Sequence, residues 1–565
     1  MLVTLGALGL GLDARAWRGP ANDLPPYPEV DLPELQGRGS TAVCFSGGGS
    51  RAYSAALGQM KALLDLGVVE NVRYITGVSG GAWATTVISY APESYAATDS
   101  ALLGDVTAPE DMNLTALQQL SPNARAAATI DFEKVLKKNV LFQGLNGGWK
   151  TAVGEIFLSA HGIDPAAYPA WKNESVRELL GRNPSLAGQK FAGTRPGRPF
   201  PVIGVTLMGP AQSLPFEMSK RTYRMYEYTP LYAGTGVAVN ETYTQVGVFG
   251  TSIPIKRQVG GFVEPWAAGA PDGAQTPLGA SGTLEVASPG TMTFGAAVSA
   301  SSYFVADPLA DVTRLSSSMT MRIPSWPVVL PGETPQGPPV GETPDQWVFG
   351  DGGILDNQNL LGMLQRRVEN IVVFINTDVV LAPPEVWDPA KRVPTMEEID
   401  DLLPSYFGIE VDNATQPGFF MIHNTIFPRA DFVTVVRALQ QAQAKGRGCV
   451  VTTPLTTVEN PVWRIPAGVK AKITWVYTAR SREWEKRLPK EVRDVAVSRV
   501  DPDGKNISAL PEDGPLASFP FYKLAWYLTP IQANMLADYS GWVVKENKET
   551  LVAALGKQAE HHVLV

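Results

Sequence analysis

The chain has 565 residues, of which 44% are hydrophobic, and this is enough for a large packed core. Its formal net charge of −8 and its 18% content of charged residues exclude the basic surface typical of nucleic-acid binding, so we expect no nucleic-acid partner. The two cysteines, Cys44 and Cys449, exclude a disulfide framework.

Residues 1–39 are predicted to be an N-terminal segment and linker. The first twelve residues are apolar and precede Ala14-Arg15-Ala16, which resembles a cleavage site, but no basic residue precedes the apolar run as in a signal peptide. The run is also too short to span a bilayer. We therefore expect a cytoplasmic protein with peripheral membrane contact, and an exported one if this segment is a signal.

Two glycine-rich turns lie between residues 41 and 90, each where a predicted strand passes into a predicted helix. The first strand, turn and helix are predicted at 41–45, 46–51 and 52–66, and the second set at 72–76, 77–81 and 82–90. The turns read SGGGSR and GVSGG. Glycine is typical of such corners because a Cβ would clash with the opposite arm of the turn.

Residues 92–198 are predicted to form mainly helices and turns, with amphipathic stretches at 130–141 and 176–180. A long insertion after the second turn is typical of a cap or lid over an acyl-chain site, although extra packing around the core would give the same pattern. Lys134, Lys137 and Lys138 form a small basic cluster in it. For this cluster a solvated helix face is favoured over a lipid site.

The rest of the chain alternates strands, glycine turns and helices, which indicates a mostly parallel sheet with helices on both faces. One large domain is predicted for residues 40–545, followed by a tail at 546–565. Sites in such sheets gather at the carboxyl ends of strands, where both glycine turns and Asp351-Gly352-Gly353 are expected. Strands are predicted at 200–208, 347–350, 371–377 and 470–479, helices at 354–368, 431–444 and 531–537, and irregular structure at 259–290.

Ser79 stands between glycines at the centre of the second turn, which is the sequence form of a nucleophile elbow. A serine in a tight structural turn would have the same pattern. The first turn favours catalysis, because consecutive backbone N–H groups at a helix start bind an anion. Acyl transfer requires such donors close to its nucleophile.

Three blocks of the sequence resemble the catalytic blocks of cytosolic phospholipases A2 and of the related fungal-type lysophospholipases, which share the patatin-like fold. The blocks are SGGGSRA at 46–52, GVSGGAW at 77–83 and DGG at 351–353, and weaker similarity lies at 216–219, 226–230 and 294–299. The resemblance implies a patatin-like three-layer α/β/α fold with a central, mostly parallel sheet and a helical cap or lid insertion.

The same resemblance implies a role for each site residue. Ser79 would be the nucleophile, Asp351 its base in a two-residue dyad, and Gly48 and Gly49 the donors of the oxyanion hole. Arg51 would contact the head-group phosphate, for which a guanidinium group is well shaped. The calcium-dependent membrane domain of the family would need a segment far longer than residues 1–39, so we expect no calcium requirement, no other metal and no cofactor.

The residues alone leave the base open. Ser79, Asp351 and His423 follow the order of an α/β-hydrolase triad, and Asp351 could also be a simple helix N-cap. We expect a lipid acyl hydrolase acting on phospholipid or lysophospholipid at a membrane or micelle surface. A catalytically silent lipid or phosphate binder is the alternative, and it would not be labelled on Ser79 by a fluorophosphonate.

Overall fold

The structure is a computed structural model that describes residues 12–17, 27–216, 222–246, 251–271, 282–306, 308–309, 318–325, 345–412, 423–496, 518–523 and 527–556. All but the last residue of the apolar segment at 1–12 lie outside these ranges, so the possible signal stays a prediction. The same holds for the division into a linker, a domain and a tail.

The described strands are β1 Leu12–Trp17, β2 Thr41–Phe45, β3 Tyr74–Gly77, β4 Tyr168–Ala170, β5 Phe191–Gly193, β6 Phe200–Pro210, β7 Arg224–Tyr228, β8 Ala233–Val246, β9 Ser252–Val263, β10 Thr283–Val286, β11 Met321–Pro324, β12 Gln346–Asp351, β13 Asn370–Ile375, β14 Cys449–Thr456 and β15 Lys470–Tyr477. The described α-helices are α1 Pro33–Gln36, α2 Gly49–Asp65, α3 Gly80–Tyr90, α4 Asp99–Leu103, α5 Leu114–Gln118, α6 Phe132–Val153, α7 Asn173–Arg182, α8 Phe294–Ser301, α9 Gly353–Asp356, α10 Leu360–Gln365, α11 Leu402–Ser405, α12 Arg429–Ala444, α13 Arg482–Arg487, α14 Lys490–Ala496, α15 Pro530–Glu546 and α16 Lys548–Leu555.

The centre of the main sheet is parallel, as the alternation of strands and helices predicted. Strands β15, β13, β2, β3 and β6 lie side by side in that order, and each neighbouring pair is parallel. Every residue of β2, β13 and β6 is buried, which explains their continuous apolar sequences. Helices pack on this sheet in a three-layer α/β/α arrangement, which confirms the predicted patatin-like fold.

Beyond β6 the sheet continues with antiparallel strands, and here the prediction of irregular structure at 259–290 was wrong at 259–263 and 283–286. The order is β6, β7, β8, β9, β1 and β10. Within the range read as irregular, β9 extends to Val263 and β10 covers Thr283–Val286. The first strand, β1, comes from the segment predicted as a linker and pairs with both β9 and β10. Glycine or proline interrupts the alternation in β8 and β9, whereas β1 and β10 contain neither and are short.

Two strands that run in opposite directions meet end to end beside β6. Strand β3 pairs with the first part of β6 in parallel and ends with Gly77 opposite Ile203. Strand β12 pairs with the later part in antiparallel orientation and ends with Asp351 opposite Val205. Because β7 occupies the other edge of β6 at Ile203 and Val205, β3 and β12 share one edge. Their carboxyl ends therefore converge next to Gly204, and the expected parallel direction does not hold for β12.

The insertion at 92–198 packs on the helix that follows Ser79. In α3, the ring of Trp83 stacks on Phe157 with centroids 4.0 Å apart and lies 6.0 Å from Phe132 at the start of α6. Aromatic contacts of this kind stabilise a buried interface beyond the area they bury. Among the described residues, no helix combines the length and the apolar character that crossing a membrane requires.

Candidate active site

Ser79 occupies a sharp turn between β3 and α3. Its backbone has φ 51° and ψ −125°, a conformation that L-residues rarely adopt and that is often found where strain serves function. A Cβ on the following Gly80 would lie 2.1 Å from the carbonyl oxygen of Gly49. The two glycine turns are therefore in direct contact, and partly exposed Ser79 lies where they meet.

The carboxyl group of Asp351 is buried beside Ser79. Burial raises its pKa to about 7, because the charged form is disfavoured away from water, and hydrogen bonds from Gly353 and from the Ser79 side chain oppose this rise. The Gly353 N–H group donates to Asp351 Oδ1 at 2.8 Å. An aspartate with this pKa is a stronger base than an exposed one, and it contacts the hydroxyl group that must lose a proton.

The first glycine turn supplies backbone donors next to Ser79. Gly48 and Gly49 have φ values of 134° and 58°, and in the described part of the chain neither N–H group has a hydrogen-bond acceptor. By contrast, Gly47 N–H donates to the carbonyl oxygen and to Oδ1 of Asn357, both at 3.1 Å. A Cβ on Gly80 would lie 2.8 Å from the Gly49 nitrogen. Donors at this position could stabilise an oxyanion formed on Ser79.

A comparison with known families matches the part of the chain that holds both glycine turns. Residues 43–182, which include the first glycine turn and Ser79 but not Asp351, match the family described as patatin-like phospholipase. This part of the chain is therefore similar to a patatin-like phospholipase domain. A comparison with curated protein sequences gives no match.

Two solved structures similar to this patatin-like chain are those of human GIVD cytosolic phospholipase A2. The first has 13% sequence identity and a TM-score of 0.41, and the match covers 91% of this chain and 59% of that one. The second, a complex with methyl gamma-linolenyl fluorophosphonate, has 14% identity and a TM-score of 0.38, with 93% and 60% covered. The chain thus spans about three fifths of the length of these structures.

Arg51 of the patatin-like domain is buried at the edge of the first turn. Its Nε donates to the carbonyl oxygen of Asn376 at 2.9 Å and its Nη1 to that of Tyr522 at 2.5 Å. Its Nη2 lies 3.6 Å from Asp378 and 2.5 Å from where a Cβ on Gly48 would stand. The guanidinium group thus borders the oxyanion turn while it binds backbone carbonyls, and phosphate binding by Arg51 stays a prediction.

His423 is not among the groups that act on Asp351, whose pKa is shifted by burial, Gly353 and Ser79. The pKa of His423 is lowered by burial and by the positive charge of Arg224. Its carbonyl oxygen accepts a hydrogen bond from Asn460. These contacts favour the dyad over the triad. Within the described ranges, no group of three or more His, Cys, Asp or Glu side chains could hold a metal ion.

Ser301, at the end of α8, joins the two halves of the site and was missed by the sequence analysis. Its carbonyl oxygen accepts hydrogen bonds from Ser79 N–H and from Gly352 N–H, each at 3.0 Å. Its hydroxyl group accepts a further bond from Ser79 N–H at 3.1 Å and donates to the Gly204 carbonyl oxygen at 2.7 Å. The nearest sequence signal, the similarity at 294–299, ends two residues before it.

Proposed function

We propose that the chain is a serine hydrolase that cleaves acyl esters of glycerophospholipids or lysophospholipids through a Ser79–Asp351 dyad. The observation that carries this proposal is the placement of Ser79 and Asp351 where the carboxyl ends of β3 and β12 converge. Burial raises the pKa of the Asp351 carboxyl group to about 7, and the Ser79 side chain acts in the opposite direction. A structural serine in a tight turn would not require a buried carboxylate beside it, because burying a carboxylate is unfavourable.

In the first step the Ser79 hydroxyl oxygen attacks the ester carbonyl carbon while the Asp351 carboxylate accepts its proton. The negative charge that develops on the carbonyl oxygen is stabilised by the N–H groups of Gly48 and Gly49. Asp351 then returns the proton to the leaving alcohol, and an acyl-serine remains. In the second step water attacks the acyl-serine and loses a proton to Asp351. Asp351 then returns this proton to Ser79 Oγ as the bond to the acyl group breaks, so the fatty acid leaves and the Ser79 hydroxyl group is restored.

The glycerophospholipid substrate is part of the proposal, and the match of residues 43–182 to patatin-like phospholipases supports a lipid substrate. Arg51 supports it, because a guanidinium group beside the oxyanion turn can bind a phosphate. In the structure, Arg51 Nε and Nη1 donate to backbone carbonyls. Phosphate binding would therefore use Nη2, which is the nitrogen closest to Gly48.

The experiment is hydrolysis of phospholipids with a different acyl chain at each position, with the products identified by mass spectrometry. We expect the parent protein to release one fatty acid per phospholipid and Ser79→Ala to lose at least 1,000-fold in rate, by analogy with other nucleophile deletions. Ser100→Ala is the matched serine control, because Ser100 is an exposed residue of α4 whose hydroxyl group donates to Asp105. Equal rates for the parent and Ser79→Ala would contradict the proposal.

A further inference from the structure

Two large apolar side chains of the insertion at 92–198 are exposed to solvent. Leu141 is 81% exposed and Phe142 is 83% exposed, more than any other large hydrophobic residue in the described ranges. They lie in α6, three and two residues before Gly144, whose φ of 70° and ψ of 176° interrupt the helix. Phe132 and Leu136, on the opposite face, are buried in the core. Adjacent exposed apolar residues of this size are typical of an interaction site.

Basic side chains flank this apolar pair on the same helix. Lys134, Lys137 and Lys138 are all exposed, and Lys137 and Lys138 precede Leu141 and Phe142 by four residues each, so they are surface neighbours. Lys137 pairs with Glu133 at 2.5 Å. In the described part of the chain, Lys134 and Lys138 have no carboxylate partner. The segment 134–142 therefore presents two apolar side chains beside a net positive charge.

The same helix leads directly to the candidate active site. After Gly144, α6 continues to Trp149, whose Nε1 donates to the carbonyl oxygen of Ser299 at 3.2 Å. Ser299 lies on α8, which ends at Ser301, the residue that binds the Ser79 N–H group. Phe142 and Trp149 are seven residues apart in the chain, on either side of the break at Gly144. The exposed segment is thus joined through α6 to the elements that hold Ser79.

We propose that residues 134–142 dock the protein on an anionic phospholipid surface. Leu141 and Phe142 enter the boundary between head groups and acyl chains, and the lysine side chains contact lipid phosphates. A protein partner fits less well, because two apolar side chains supply much less area than a stable protein interface requires. The inference rests on the proposed function and adds to it the surface through which the enzyme reaches its substrate.

The test is sedimentation with vesicles of phosphatidylcholine alone and of phosphatidylcholine with phosphatidylglycerol. All proteins carry Ser79→Ala, so that binding is measured without hydrolysis. The variants are Leu141→Ser/Phe142→Ser and Lys134→Gln/Lys138→Gln. Val552→Ser is the matched control, because Val552 is a 43% exposed residue of α16. That helix contacts Asn71, just before β3, and so lies at the amino-terminal end of the parallel strands, opposite the site.

We expect the apolar double variant to bind both kinds of vesicle at least tenfold more weakly than its parent. The lysine double variant should lose binding mainly to the anionic vesicles, and this loss should disappear at high salt. Val552→Ser should bind like the parent. Unchanged binding of the apolar variant, or an equal loss in Val552→Ser, would overturn the proposal. Loss of self-association in the apolar variant with unchanged vesicle binding would instead assign the surface to a second copy of the chain.

The vesicle-binding result does not depend on catalysis, because all proteins in that experiment carry Ser79→Ala. Hydrolysis of a short-chain, water-soluble ester by the same surface variants, made with Ser79 intact, should equal that of the parent because residues 134–142 are outside the dyad. If no variant hydrolyses any ester, the proposed function fails while the vesicle result still decides the docking surface.

Discussion

Replacing Asp351 by asparagine should abolish activity and at the same time stabilise the protein. In the folded state the pKa of Asp351 rises from 3.8 to about 7 because the carboxyl group is buried. The folded protein therefore favours the neutral acid, and its stability falls as the pH rises from the unfolded pKa to the folded one. Asparagine has nearly the same shape and is neutral at every pH, so the variant does not lose stability in this way as the pH rises.

The size of the effect follows from the pKa change. A shift of about three units corresponds to about 4 kcal/mol at 1.36 kcal/mol per unit. At pH 8 Asp351 is ionised in the folded parent and destabilises it by the full amount. Asp351→Asn should therefore raise the free energy of unfolding by up to about 4 kcal/mol. At pH 5 the gain should be about 2 kcal/mol, and near pH 4 it should almost disappear. The asparagine amide must itself be buried, so the pH dependence of the gain is the firmer expectation.

The assay is urea unfolding of the parent and of Asp351→Asn at pH 8 and at pH 5, followed by circular dichroism. Asp351→Glu serves as the charged control, since it keeps the titrating group. A stability difference between the parent and Asp351→Asn that is the same at both pH values would refute the reasoning, because the buried carboxyl group would then not be the source. Activity measured on the same samples should be lost in Asp351→Asn at both pH values.

The other expectations concern the pH profile and three neighbouring residues. The kcat/KM of the parent should rise with pH through about 7 as Asp351 becomes the carboxylate, and a flat profile between pH 6 and 8 would contradict its role as base. Ser301→Ala, which removes the hydroxyl group at Ser79 N–H, should lower kcat about tenfold with little change in KM, as for the loss of one hydrogen bond. Ser301→Thr, which keeps a hydroxyl group, should restore most of the lost kcat. A KM for Ser301→Ala that rises as much as kcat falls would instead indicate a disturbed binding site. His423→Ala should keep activity within a few-fold, and its complete loss in a folded protein would restore the triad. Arg51→Lys should reduce hydrolysis of phospholipid relative to a neutral ester roughly tenfold, whereas an equal fall on both substrates would mean that Arg51 supports the oxyanion turn.

The local elements of the site could be predicted from the sequence because their signals are local. The strand at Thr41–Phe45 lies where the apolar run predicted it, and both helices after the glycine turns begin two or three residues before the predicted starts. The glycine turns mark where these strands end and these helices begin, because clustered glycines are typical of a sharp turn. The helix predicted at 354–368 is instead two short helices, because Asn359 between them adopts a left-handed conformation with φ 52°.

Contacts between distant segments could not be predicted in this way. The convergence of β3 and β12 depends on which strand occupies each part of β6, and nothing in the pattern around Asp351 gives the direction of its strand. Ser301 has an ordinary helical sequence around it, and its importance comes from contacts 222 residues away. The burial of Arg51 likewise depends on Tyr522, far along the chain.

The central claim is that Ser79 is the nucleophile, activated by Asp351. Its most direct test is mass spectrometry of the intact protein after reaction with a fluorophosphonate, followed by peptide mapping. We predict one adduct per chain, on Ser79, and at least tenfold slower labelling in Asp351→Asn, whose fold is verified by the unfolding measurements. Labelling that persists in Ser79→Ala, or that is equally fast in Asp351→Asn, would contradict the claim.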